Sequence, residues 1–156
     1  MRITEGFKPT ELPRLCQLND TCFEGLERPP HQDFKNMLSI TDHWFARLEL
    51  WDANSQLIPS DAYSEIIGYI LVDRRYGAYL WSVAVDPDHR GKGVAGYLLS
   101  RAEQFCKSKG DDSMRLHCHA ANPSQKLYFD HGYRVYDLAH GYYGDGSIGL
   151  MMKKGL

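Results

Sequence analysis

The sequence predicts an α/β (α+β) domain, and three observations predict it. Apolar residues alternate at strand spacing in several short segments, recur at helical spacing in others, and the two kinds of segment follow one another along the chain. No repeat, low-complexity tract or composition break marks a linker, so residues 1–156 read as one domain. A chain of 156 residues buries roughly 70% of its unfolded surface and needs no covalent staple. Its 43% hydrophobic and 24% charged content is that of a water-soluble globular chain. A net charge of −2 supplies no basic field for nucleic acid or anionic lipid, and no apolar run approaches membrane-spanning length. Cys16, Cys22, Cys106 and Cys118 form no C-x-x-C pair. They read as reduced thiols, and with no signal peptide in view a cytoplasmic location is expected.

The elements follow in order. Arg2 to Glu5 is a short opening strand. Thr10 is placed to cap a helix through Phe23, with Leu12, Leu15, Leu18 and Cys22 on its apolar side. Glu24 to Pro30 is a loop broken by two prolines, and Gln32 to Ser39 a second short helix. Three segments rich in β-branched and aromatic residues, His43–Trp51, Tyr63–Arg74 and Ala78–Val85, suggest an antiparallel meander. Val94, Leu98, Ala102, Phe105 and Cys106 form a helical stripe that Gly110 ends. Met114 to His119 is a strand with Met114, Leu116 and Cys118 on one face and Arg115, His117 and His119 on the other. Asn122-Pro123 reads as an N-cap followed by proline at the first helical position, in a helix that closes at Gly132. Tyr133–Leu138 and Ser147–Lys153 are the last strands. The order is β-α-α-β-β-β-α-β-α-β-β.

Between a strand and the longest helix stands Asp86-Pro-Asp-His-Arg-Gly-Lys-Gly-Val-Ala-Gly. Gly91, Gly93 and Gly96 meet the spacing G-x-G-x-x-G, but five residues separate the strand from the first glycine and no acid ends the next strand. A dinucleotide site needs both. The phosphate loop G-x-x-x-x-G-K-[ST] fails because Gly93 follows Lys92. What remains is either a glycine-rich turn before an ordinary helix, or backbone N–H groups at a helix N-terminus, flanked by Arg90 and Lys92 and suited to a pyrophosphate.

Two blocks in this order resemble the GNAT superfamily of acetyl-coenzyme A-dependent N-acetyltransferases. Arg90, Gly93 and Ala95, after Val-Ala-Val-Asp-Pro, fit Arg/Gln-x-x-Gly-x-Gly/Ala. Leu-His-Cys-His-Ala-Ala-Asn-Pro-Ser-Gln-Lys-Leu-Tyr-Phe-Asp-His-Gly-Tyr is similar to the superfamily's strand, Asn-initiated helix and aromatic-x-x-Gly-aromatic ending. The resemblance implies a mixed, mostly antiparallel sheet of about seven strands with four helices, splayed between the fourth and fifth strands. It implies acetyl-CoA as cosubstrate and no metal. The loop Arg90, Gly91, Lys92, Gly93, Val94, Ala95 and Gly96 would bind the pyrophosphate, Val83 and Val85 would pair main chain to main chain with the pantetheine arm, and Asn122 and Tyr128 would meet its far end.

Acetyl transfer needs a neutral amine, an oxyanion donor and an acid for the departing thiolate. The resemblance gives Tyr128 as the acid, His117 as the base and Tyr79 as its neighbour in some protein N-terminal acetyltransferases. On the residues alone, His117 also fits a polar-face residue paired with Arg115, Tyr79 a packed strand aromatic, and Tyr128 a packed helix aromatic. His117-x-His119 shares a face but lacks a third metal ligand at suitable spacing. Cys118 lies opposite His117, which fits direct transfer rather than an acyl-enzyme. Tyr142 and Tyr143, with Asp145-Gly146, resemble the Tyr-Tyr…Asp-Gly-Glu-Asp-Ala segment of enzymes that acetylate protein N-termini, although Ser147, Ile148 and Gly149 replace Glu-Asp-Ala. The expectation is an acetyltransferase acting on a protein or peptide N-terminal amine, as a monomer or homodimer. A small amine (polyamine, amino acid or antibiotic-like) is the alternative acceptor, and a non-catalytic CoA-binding module the alternative class.

Overall fold

The computed structural model describes residues 1–23, 31–48, 65–143 and 146–156. Its elements are β1 (Arg2–Glu5), α1 (Leu12–Cys22), α2 (His31–Ile40), β2 (Asp42–Leu48), β3 (Glu65–Asp73), β4 (Tyr79–Val85), α3 (Val94–Ser108), β5 (Ser113–His119), α4 (Gln125–Asp130), β6 (Arg134–His140) and β7 (Ile148–Gly155). The expected order of elements is reproduced. Seven strands form one sheet in the order β1-β2-β3-β4-β5-β7-β6. Every neighbouring pair is antiparallel except β4 and β5.

The sheet has two apolar faces because β3, buried from Ile66 to Val72, alternates its side chains between them. On one face Ile70 and Val72 meet Val94, Leu98, Leu99, Ala102 and Cys106 of α3, with Tyr128 and Tyr133 closing the end. On the other, Tyr69 and Leu71 meet Leu15 and Leu18 of α1 and Phe34 and Leu38 of α2. Leu98 is fully buried, a position where truncation to alanine costs ~2–5 kcal/mol.

β4 and β5 pair only at Tyr79 with Arg115 and Leu80 with Leu116. Beyond that they separate. The separation starts at a bulge: Leu71 pairs with Ser82 and Val72 with Leu80, leaving Trp81 as the extra residue on β4. A bulge of this kind bends its strand and raises its twist, which opens the expected splay between the fourth and fifth strands.

Two helix starts differ from expectation. Thr10 does not cap α1; it lies inside a 3-10 turn, Pro9–Glu11. Glu11 accepts the Lys8 N–H at 2.7 Å and pairs with buried Arg47, so this carboxylate, with the proline, tightens the first turn. Asn122 caps a turn rather than the helix. Its Oδ1 accepts the Ser124 N–H at 2.9 Å, Gln125 and Lys126 N–H close three-residue turns onto the Asn122 and Pro123 carbonyls, and regular helix begins only at Gln125. The other boundaries agree to within two residues where the structure describes them. The expected strand ends at 49–51 and 63–64, the loop at 24–30 and Asp145 lie outside the described residues.

Candidate active site

The splay opens two adjoining clefts. The larger, about 720 Å³, is lined by Val83, Val85, Arg90, Ala95, Asn122 and Leu127 among others. The smaller, about 270 Å³, is lined by Tyr79, Trp81, His117, Tyr128, Tyr142 and Tyr143 among others. Phe23, Val83, His119, Asn122 and Ser124 border both.

The larger cleft has the makings of an extended-chain site. The Asp86 N–H donates to Ile67 O of β3, so by strand alternation Val83 and Val85 turn their main-chain groups toward the split. One of these groups is already used: the Val85 carbonyl accepts from Arg90 Nε at 3.0 Å and from Cys22 Sγ at 3.3 Å. The Val83 main-chain groups and the Val85 N–H have no such partner among the described residues. Asp86, whose carboxyl burial would raise but hydrogen bonds from Arg14 and the Asp88 N–H hold below its ordinary pKa, anchors the start of the loop.

The loop glycines serve different ends. Gly91 and Gly93 have φ of +73° and +78°, and Gly93 is the N-cap of α3. This left-handed backbone, costly for residues with a Cβ, turns the chain into the first turn of α3. Gly96 has no such geometry; a Cβ there would lie 3.1 Å from His131 Nε2. Of the loop residues, Arg90 and Ala95 line the cleft. Lys92 folds back onto Asp88 O at 2.9 Å, and Val94 is buried in the α3 core.

In the smaller cleft Tyr79 Oη lies 2.8 Å from His117 Nδ1. The two residues reach each other because β4 and β5 are still in register here, Tyr79 beside Arg115 and two residues short of His117. Burial, then the positive charge of Arg115, holds His117 below its ordinary pKa, and burial drives the Tyr79 hydroxyl upward, with Tyr142 adding to the shift. Tyr142, reaching over from the β6–β7 connection, stacks on the His117 ring at 4.5 Å with an interplanar angle of 1°. Tyr143 packs against Tyr142 at 5.0 Å and against the His119 ring at 4.9 Å. Neither the stack nor the bulge at Trp81 is visible in the sequence; the pairing of two aromatics with two alternate histidines was its only signal.

Tyr128 enters from α4, on the opposite wall. It is 7% exposed, and burial pushes its hydroxyl pKa up. Cys118 turns into the core, away from His117, as the strand alternation requires. No group of three or more potential metal ligands occurs among the described residues.

A sheet split between two parallel strands, with a glycine-bearing helix N-terminus at one end of the split and a tyrosine–histidine pair at the other, is the architecture of an N-acetyltransferase. The chain belongs to the acetyltransferase (GNAT) family, whose sequence model matches residues 12–133. Over 73 residues, 46% of this chain and 25% of the relative, it is 40% identical to GCN5-related N-acetyltransferase 4, chloroplastic, of Arabidopsis thaliana; the alignment spans a quarter of that protein's length. The fold is that of the ribosomal-protein-S18-alanine N-acetyltransferase of Escherichia coli, with 18% identity, a TM-score of 0.75, and 99% and 92% of the two chains covered. Arabidopsis thaliana NAA60, solved with a bisubstrate analogue, is 21% identical with a TM-score of 0.74 over 99% and 98% of the chains. A GNAT acetyltransferase from Elizabethkingia anophelis with acetyl-CoA bound is 16% identical with a TM-score of 0.75 over 99% and 97%.

Proposed function

We propose that the chain transfers the acetyl group of acetyl-CoA directly to the α-amine of a peptide or protein. The observation that carries this reading is the Tyr79–His117 pair under the Tyr142 ring in the smaller cleft, which shares Val83, His119 and Asn122 with the larger.

The larger cleft fits the cosubstrate: Val83 and Val85 of the splayed strand line it together with Arg90 and Ala95, beside the start of α3 at Gly93. Acetyl-CoA supplies an activated thioester. His117 is the proton acceptor for the amine, held neutral by burial and by Arg115. An α-amine with pKa about 7.7–8.0 is a better match for one modest base than a lysine at about 10.4. Tyr128, whose hydroxyl makes no hydrogen bond among the described residues and whose acidity is suppressed, keeps its proton for the leaving thiolate. Val83 N–H is the candidate donor to the carbonyl oxygen as charge develops. Four free thiols fit a reducing compartment, and the cytoplasm is the proposed location.

For the acceptor, the described lining of the smaller cleft is rich in aromatic rings and carries the imidazoles of His117 and His119. A chain end carries one charge, which ring faces accommodate. The test is release of free thiol from acetyl-CoA with peptides, polyamines, amino acids and aminoglycosides offered separately. Stimulation by peptides bearing a free α-amine supports the reading; stimulation by small amines alone contradicts it, and tight binding of acetyl-CoA with no stimulated release points to a non-catalytic module.

A further inference from the structure

We infer that the face of the β5–β7–β6 half-sheet that no described helix covers is the track for the acceptor chain and selects acidic residues just after its N-terminal residue. This deepens the peptide reading above and rests on it.

Directly paired residues on adjacent strands point to the same face. Arg115 pairs with Lys153, and Lys153 with Arg134. One cross-strand row therefore carries three consecutive basic residues, starting beside Tyr79. The next row holds His117, Met151 and Asp137, and the one after it His119, Gly149 and Ala139. The apolar residues of these strands, Leu116, Cys118 and Met152, face the α3 side. On the row's side the described helices α1 and α2 cover β3 and β4 instead.

Like charges placed opposite one another destabilise a sheet, and this chain does not neutralise them. Arg115 and Lys153 form no ion pair among the described residues; Arg115 Nη2 donates to Tyr76 O at 2.8 Å. Arg134, at the edge, ties Nη1 to the Tyr133 and Phe129 carbonyls at 2.7 and 3.2 Å, which holds its guanidinium at the end of α4 and leaves Arg115 and Lys153 as the charges the row presents. Asp137, one row nearer the site on the outer strand, accepts the Leu138 N–H and pairs with none of the three. The chain as a whole is net negative, so the row is a local concentration of positive charge on an acidic molecule.

The spacing suits a chain end. Two residues along a strand are about 7 Å and one strand across about 5 Å. The row thus begins about 7 Å from the His117 position and extends about 10 Å sideways. An extended peptide whose amine sits at His117 brings residues 2 to 4 over Arg115 and Lys153, since each residue spans roughly 3.3 Å. Glutamate or aspartate there meets half-buried Arg115 and exposed Lys153.

The experiment uses three peptides with the same first residue and Glu, Gln or Lys at positions 2–4. Acetylation is followed at 20 and 300 mM salt with the wild type and with Lys153→Glu. The wild type is expected to favour the Glu peptide over the Gln peptide about 3- to 30-fold in kcat/KM, the range two exposed ion pairs supply, with most of the preference lost at high salt. Lys153→Glu is expected to abolish or reverse that preference while still acetylating the Gln peptide, which also shows that the variant is folded. Equal use of all three peptides by the wild type, or an unchanged preference in Lys153→Glu, overturns the inference and leaves the peptide reading standing. If no peptide is acetylated while a small amine is, the peptide reading fails and this inference falls with it.

Discussion

Tyr79 Oη and His117 Nδ1 are 2.8 Å apart across the last paired positions of two strands that then diverge. The contact decides which imidazole nitrogen works. When Nδ1–H donates to the phenol oxygen, Nε2 keeps its lone pair for the substrate proton; when the phenol donates, Nε2 holds a hydrogen and cannot act as base. The account requires the first arrangement at neutral pH. Nitrogen-15 NMR of the histidine side chains is expected to show His117 neutral and protonated on Nδ1. Tyr79→Phe should lower kcat about tenfold, less than the roughly 100-fold expected from His117→Ala. His117→Ala should also move the acid limb of the kcat profile to higher pH, since the amine then loses its proton to solvent. An unaltered profile assigns the base elsewhere.

Tyr128→Phe separates binding from chemistry. In the proposed role the hydroxyl gives its proton to the leaving thiolate, so turnover should fall roughly 10- to 1000-fold while acetyl-CoA affinity by calorimetry stays within a factor of about three. Full turnover in this variant makes Tyr128 a packing residue against Tyr133, its T-shaped neighbour at 5.9 Å.

The loop glycines should divide by role. Gly93→Glu puts a carboxylate at the proposed anion site and a Cβ at φ +78°, costing ~1–2 kcal/mol, or a few degrees in Tm. The protein should fold and fail to bind acetyl-CoA. Gly96→Ala should fold and bind normally: His131 must yield slightly, but alanine gains up to ~1 kcal/mol over glycine inside a helix. Calorimetry on both variants checks this, and loss of binding in Gly96→Ala would mean the cosubstrate approaches that backbone too.

Much of this was legible because it rests on local rules. The alternation Met114-Arg-Leu-His-Cys-His placed His117 on the polar face and Cys118 on the apolar one, and the burial pattern agrees. The α3 stripe and its glycine end also follow from side-chain period and turn chemistry alone. The unread parts depend on long-range partners. Thr10 lost its capping role to a contact between Glu11 and Arg47, a residue on another strand. The Val85 carbonyl is taken by Arg90 and Cys22, and the Tyr142 stack depends on how one hairpin folds over a neighbouring strand. The basic row exists only once register is known, because Arg115, Lys153 and Arg134 are far apart in sequence.

Stability should fall between pH 7 and 5. His43, with Nδ1 bonded to Thr41 O and its ring against Phe7 and Phe45, has its pKa lowered by burial, and His117 is lowered as well. A histidine whose folded pKa is below its unfolded value near 6.5 binds fewer protons when folded, so stability rises with pH and is lost as pH falls through about 6.5 toward the folded value. Carboxylates with lowered pKa, such as Glu11, Asp73 and Asp86, act only below about pH 4.5. Thermal melts of His43→Phe should therefore show a shallower decline from pH 7 to 5 than the wild type. Parallel declines would mean that His43 protonates without resistance.

The central claim is that the site acetylates an α-amine. The direct measurement is mass spectrometry of a peptide carrying both a free N-terminus and an internal lysine, after incubation with the enzyme and acetyl-CoA, with fragmentation to locate the added acetyl group. The account predicts one acetyl group, on the N-terminal nitrogen, and none on a version of the peptide whose N-terminus is blocked. Acetylation of the lysine in the blocked peptide, or no peptide product under conditions where a polyamine or amino acid is acetylated, contradicts it.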